Sequence, residues 1–224
     1  ELLKKATKWK KVIKTGRTHL KDAVPMTLGQ EFSGYAFMIK HDYEHIKDDA
    51  EYLRELNVGG TAIGTGINTY PNYKKNVFQE LRKITKTKFM PAENLFEGTA
   101  SLGPIATAHA SLKIVAENLI KIANDLRLLS SGPLGGFNVI SLPAVQPGSS
   151  IMPGKINPAV AEMVDMVGFQ VIGNDTTIAM CSQAGQLELN VMMPLAAYTL
   201  LYSIDLLINS IQTFTEKCIK GIKA

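Results

Sequence analysis

The spacing of apolar residues restricts this chain to long helices. From Leu28 they fall at Leu28, Phe32, Ala36, Ile39, Tyr43, Ile46, Ala50 and Leu53. Steps of four and three form the stripe by which a helix packs into a bundle. The alternation returns at Ile105, Ala108, Leu112, Val115, Leu119, Ile122, Leu126 and Leu129, then at Ala197, Leu200, Ile204, Leu207, Ile211, Phe214 and Cys218. Val160, Val164, Val167 and Val171 stripe a helix expected over residues 159–180, and Val77, Leu81 and Ile84 face inward from one expected over 71–86. No strand, internal repeat or low-complexity linker is expected. At 1.5 Å per residue, helices of roughly 30 residues span about 45 Å. The expected fold is all-α, an elongated bundle of long helices, with residues 1–224 forming a single domain.

Several helices also carry apolar residues off the stripe: Phe37 and Met38, Met163, Met166 and Phe169, Tyr198 and Leu201. A helix apolar on more than one face must bury the surplus, and another subunit is the natural place. The net charge of +4 comes from lysines scattered along the chain, with no basic run interleaved with aromatics. Nucleic acid is therefore not an expected partner. No apolar run approaches the roughly 20 residues that cross a bilayer, so a membrane is not expected either. Two cysteines, Cys181 and Cys218, make no disulfide framework and suit a reducing compartment. The chain starts at Glu1 rather than methionine, already in helix-like sequence, and is expected to be a fragment or processed form.

The breaks between helices hold the candidate chemistry. Residues 15–25 are too polar and broken for a core element, and they place the hydroxyl of Thr18 beside the ring of His19. His41-Asp42-Tyr43-Glu44-His45 matches a zinc-peptidase pattern, but both histidines lie off the apolar stripe, so a solvated helix face is expected and zinc is rejected. The glycine-rich stretch 57–68 lacks the Gly-Lys-Ser/Thr ending of a phosphate loop; its glycines suit a sharp turn. A loop is expected over 89–102, holding Glu93, Glu97 and Ser101. His109 lies beside a stripe, where a structural role is expected.

The densest group is Pro147-Gly148-Ser149-Ser150-Ile151-Met152-Pro153-Gly154-Lys155-Ile156-Asn157-Pro158. Its glycines and prolines make it a loop. Asn157 followed by Pro158 reads as an N-cap with proline at the first helical position. A helix start offers free N–H groups and a positive dipole end to a carboxylate, and Lys155 adds a full charge.

Residues 148–158 resemble the signature loop GSSxMPxKxNP of the aspartase/fumarase superfamily. Residues 15–31 are similar to its block TGRTHLQDAxPxTLGQE, with Lys21 in place of the usual glutamine. Residues 57–68 resemble a third block, and 121–133 with 148–190 extend the likeness nearly end to end. The resemblance implies the central helical domain of these enzymes. They are homotetramers that build each active site from three subunits and use no metal or organic cofactor. It implies Ser149 as the catalytic base, and Ser150 with nearby loop amides holding the enediolate. Lys155 and Asn157 would bind the other carboxylate of a small dicarboxylate substrate. Thr18 and His19 would arrive from a neighbouring subunit, and Glu162 would support the histidine. Residues 126–131, 174–177 and 184–190 resemble aspartate ammonia-lyases, the expected branch. Fumarate hydratase is the alternative, since Gly59, Gly60 and Gly154 are also at home there. Met193 fits neither branch, and Leu134 stands where a basic residue is usual. A helical oligomerisation domain that has lost the reaction is the non-catalytic alternative. A cytoplasmic location is expected, or a mitochondrial one for a fumarase.

Overall fold

The computed structural model describes residues 1–224. The chain is built from helices: α1 (Leu2–Lys8), α2 (Leu28–Tyr52), α3 (Tyr73–Thr85), α4 (Leu95–Ala100), α5 (Gly103–Leu129), α6 (Ala159–Gln183) and α7 (Met193–Lys217). A short 3-10 turn, Ile219–Gly221, follows α7. Two compact units are present. The first comprises Glu1–Asp42, Ile114–Val171 and Asp205–Ala224, the second Tyr43–Lys113 and Ile172–Ile204.

In the first unit, α1 closes onto the start of α2. Leu28 N–H donates to the Val12 carbonyl at 2.8 Å and Gly29 N–H to that of Trp9 at 3.1 Å. Any side chain at Gly29 would collide with the Ala6 carbonyl, so glycine is what lets the two backbones meet. Trp9 then packs edge-on against Phe32, with centroids 4.8 Å apart. From α5, Val115, Leu119, Ile122, Leu126 and Leu129 are buried, and Ala161 and Val164 are buried on α6. In the second unit, Leu102, Ile178, Cys181 and Ala196 form a buried cluster, with Met193 and Leu200 packed against it.

Two small sheets correct the expectation of no strands. β1 (Ile13–Thr18) pairs antiparallel with β2 (Lys21–Thr27) as a hairpin. β3 (Glu55–Leu56) pairs in parallel with β4 (Met90–Pro91). β2 lies mostly in solvent, and the inward positions of β1 are Lys14 and Gly16, so neither strand carries the apolar alternation by which a half-buried strand is read. The expected loop over 89–102 also contains α4, capped by Asn94, whose side chain accepts from the N–H groups of Phe96 and Glu97.

The stripes hold in part. Asp42 is buried where Tyr43 was expected, because Asn118 on α5 donates to it at 2.7 Å, and Tyr43 is exposed. His41 and His45 do lie in solvent. On α3, Phe78 is buried and Ile84 points outward. On α7, Ala196, Thr199, Ser203, Leu207, Ser210 and Phe214 are buried, whereas Ala197 and Ile211 are exposed. One helical stretch, Met193–Gly221, contains an 18-residue window apolar enough, with a mean hydropathy of 1.3, to cross a bilayer by length and composition. That corrects the expectation that no run comes near this length.

Candidate active site

The loop before α6 is folded back on itself at its neck. Gly148 has φ +76°, and a Cβ there would overlap the Lys155 carbonyl oxygen. Only glycine permits that approach, which brings the two ends of residues 148–155 together. Within the loop, Lys155 N–H donates to the Met152 carbonyl at 3.2 Å, and Ile151 N–H donates to the Ser149 hydroxyl at 3.3 Å. Ser149 is half-buried and Ser150 exposed. The helix starts at Ala159 as expected, but its cap lies one residue later: Glu162 N–H donates to the Pro158 carbonyl at 3.0 Å, so Pro158, not Asn157, occupies the cap position. Asn157 is thereby left beside the helix start, with its amide uncommitted to capping.

A cavity of about 1010 Å³ lies against this loop in the first unit. Lys155, Asn157 and Pro158 line it on one side, and Arg127, Ser130, Ser131, Asn138 and Ser141 are among the residues on the other. Lys155 makes no ion pair within the chain and is exposed. A cation, an amide and the amino end of a 25-residue helix at one cavity edge suit a carboxylate. Of the expected site residues, the structure brings Lys155 and Asn157 to this cavity. Ser149 is joined to them through the neck, and Thr18 and His19 do not line it.

Thr18 and His19 sit at the hairpin tip. Thr18 pairs with Lys21, and His19 and Leu20 between them have φ of 54° and 56°. Two consecutive left-handed residues are what a two-residue hairpin turn demands, here without glycine. Thr18, His19 and Leu20 are all exposed, and neither Thr18 nor His19 makes a side-chain hydrogen bond within the chain.

Glu162 lies in the first turn of α6, with its Oε1 3.8 Å from Nη2 of Arg127. Nη1 of the same guanidinium donates to Asp165 Oδ2 at 2.8 Å and to Asn124 Oδ1 at 2.9 Å. Burial pushes the Asp165 carboxyl above its usual range, and Arg127 opposes that. Sequence reasoning missed Arg127 and Asp165. The available signal was an arginine in the last turn of α5 and an aspartate three residues after Glu162.

In the second unit, fully buried His109 joins three helices. Nδ1 lies 3.0 Å from Asp175 Oδ1, and Nε2 lies 2.9 Å from the Ser203 hydroxyl. Lys113 donates to Asp175 Oδ2 at 2.7 Å. Burial alone would raise the Asp175 carboxyl, but hydrogen bonds from Lys113 and His109 outweigh it and hold the group below its ordinary value. Ser203 donates to the Thr199 carbonyl and is sealed from solvent, so this Ser-His-Asp arrangement is a structural node rather than a nucleophile. Met193 fills space against the apolar cluster of this unit, and Leu134 is fully exposed.

A family model described as lyase matches residues 1–173. The aspartate ammonia-lyase of Helicobacter pylori is 51% identical over 220 residues, 98% of this chain and 47% of that protein. The class II fumarate hydratase of the same organism is 47% identical over 219 residues, again 98% of this chain and 47% of that protein. Among solved structures, a fumarate lyase:delta crystallin from Brucella melitensis superposes with a TM-score of 0.97 at 47% identity, over all of this chain and 48% of that one. Class II fumarase from Schistosoma mansoni superposes with a TM-score of 0.96 at 39% identity, over 99% and 50%. The chain thus spans about half the length of these relatives. A family model matched over most of the chain, relatives about half identical over nearly all of it, and solved structures that share its fold place this chain in the lyase family of the aspartase/fumarase superfamily.

Proposed function

We propose that this chain serves an aspartate ammonia-lyase, which eliminates ammonia from L-aspartate to give fumarate. The observation that carries the reading is the cavity edge where Lys155 and Asn157 meet the start of α6, with Ser149 tied to it through the Gly148 neck. Lys155, Asn157 and the helix start hold one carboxylate. Ser149, as alkoxide, takes the proton from the carbon beside the other carboxylate, and the electron pair moves into that group as an enediolate. Ser150 and loop amides stabilise the added charge, where most of the barrier is lowered. Collapse of the enediolate forms the double bond as the carbon–nitrogen bond breaks. Thr18 and His19 reach the site from a neighbouring subunit, and Glu162 supports that histidine. The exposed tip fits such a role, since the side chains of Thr18 and His19 make no hydrogen bond within their own chain.

Assembly as a homotetramer in the cytoplasm belongs to the same reading. Its support is the exposed apolar surface on helices that already pack elsewhere: Met166 and Phe169 on α6, and Leu195, Tyr198 and Leu201 on α7. A fumarate hydratase is the second reading, favoured by the 47% identity to the Helicobacter pylori enzyme.

The test uses an enzyme of the relatives' length that contains this chain, followed by absorbance of fumarate. Aspartate is expected to turn over and malate not. Ser149→Ala should lower kcat far more than it raises KM, because a base acts only as the transition state forms. Near-normal turnover in Ser149→Ala removes serine from the base role, and turnover of malate alone selects the hydratase.

A further inference from the structure

We infer that Phe137 is a positioning residue for the reaction, holding Arg17 and through it the hairpin tip that presents Thr18 and His19. The inference rests on the reading above, in which that tip serves an active site.

The tip needs a brace. A two-stranded hairpin is marginal on its own, and this one turns through two left-handed residues, neither of them glycine. Thr18 and His19 have no side-chain hydrogen bond of their own in the chain. The residue directly before them, Arg17, is the fixed point. Its guanidinium carbon lies 4.4 Å from the centroid of the Phe137 ring. Its Nε lies 3.3 Å from Asp22 Oδ1 on the opposing strand, and Nη1 donates to the Thr15 carbonyl at 3.4 Å. A planar cation over a ring face is held at a defined height and tilt, and more firmly when partly withdrawn from water. The Arg17 side chain is 22% exposed.

Phe137 is itself anchored. Its N–H donates to the Ser131 hydroxyl at 3.0 Å, and the next residue, Asn138, donates to the Ser131 carbonyl at 2.9 Å. Val139 N–H then donates to the Leu129 carbonyl at 2.8 Å, at the end of α5. Ser131 and Asn138 also wall the cavity beside Lys155 and Asn157. One short segment thus lines the carboxylate cavity and carries the ring on which the hairpin rests. Phe137 touches no reacting atom, so it acts through Arg17.

The test compares Phe137→Leu, Phe137→Tyr and Arg17→Met in the full-length enzyme. Leucine keeps apolar bulk but removes the ring face; tyrosine restores it. Phe137→Leu is expected to lower kcat roughly tenfold without changing the melting temperature, as loss of fixed geometry does. Phe137→Tyr should stay within about twofold of the parent. In the Phe137→Leu background, Arg17→Met should cost little more, since the two residues act as a unit. Wild-type kcat in Phe137→Leu, equal loss in Leu and Tyr, or additive effects of the two sites overturns the inference. If Phe137→Leu does not fold, Arg17→Met decides: wild-type kcat overturns the inference and a tenfold loss supports it. Ser149→Ala serves as the control. If it leaves turnover intact, the functional reading fails; if it abolishes turnover while Phe137→Leu runs at full speed, only the brace fails.

Discussion

Replacing Gly148 by alanine isolates the geometry on which the carboxylate cavity depends. Two costs arise. A side chain at φ +76° is strained by about 1–3 kcal/mol. The added Cβ also overlaps the Lys155 carbonyl, a backbone atom that cannot swing aside as a side chain would. The neck must therefore open, taking Lys155 and Asn157 away from their places at the cavity edge. Strain alone reduces the folded-back population by roughly 5- to 150-fold, at about 1.4 kcal/mol per tenfold, and the collision adds to that. Gly154 supplies the internal control, since it has φ +81° but nothing within 4 Å of an added Cβ. Gly154→Ala carries the strain without the collision. In the full-length enzyme, kcat/KM for aspartate should fall well over tenfold further in Gly148→Ala than in Gly154→Ala, with KM raised. Melting temperatures should match the parent's, because the loop adds little to the buried core. Equal kcat/KM in the two variants, or a Gly148→Ala enzyme that binds and turns over normally, refutes the argument.

Two predictions concern titrating groups. Asp175 is held below its ordinary value near 3.8, so its contribution to stability is fully present above that pH and is lost as pH falls through the depressed value. Asp175→Asn should therefore destabilise the chain by about 1–2 kcal/mol at pH 7, and the gap in melting temperature to wild type should shrink at strongly acid pH; an undiminished gap contradicts the sign. Burial pushes the Cys218 thiol up to about 12. In a Cys181→Ala background, a thiol reagent at pH 8 should label Cys218 only after denaturation, and rapid labelling of the native chain contradicts that.

The sequence disclosed the helices best along the later part of α5, although Ile114 and Leu128 there are apolar and exposed. On α5, Val115, Leu119, Ile122, Leu126 and Leu129 were all expected inside and are buried. On α7, apolar residues lie on several faces, and periodicity cannot tell which face turns inward. The inner face includes Thr199, Ser203 and Ser210, and Ser203 is there because His109 and Asn174 require a partner. Such pairing crosses 94 positions of sequence for His109, beyond any local pattern. The loop before α6 was legible because glycine, proline and polar residues recur there at short, fixed spacing. Arg127 was not, since a basic residue ending a helix also reads as a complement to the helix dipole. The hairpin escaped because β2 is mostly exposed and the residues turned inward on β1 are Lys14 and Gly16 rather than apolar ones.

The contacts of Lys5 and Ser141 bear on the order in which the cavity-bearing unit can be completed. Lys5 Nζ donates to the carbonyls of Lys220 and Ile222, each at 2.8 Å and more than 200 positions away. Ser141, on the cavity wall, exchanges two backbone hydrogen bonds with Lys223, at 2.8 and 3.0 Å. Neither contact can form until residues 220–223 have been made and brought back, and each closure costs chain entropy before it returns any bond energy. Helices α2 and α5 can pair early through nearer contacts such as Asn118 to Asp42. The wall that shapes the cavity instead waits for residues 220–223. Within this unit the cavity wall at Ser141 is thus completed only after the loop of residues 148–155 that borders it has already been made.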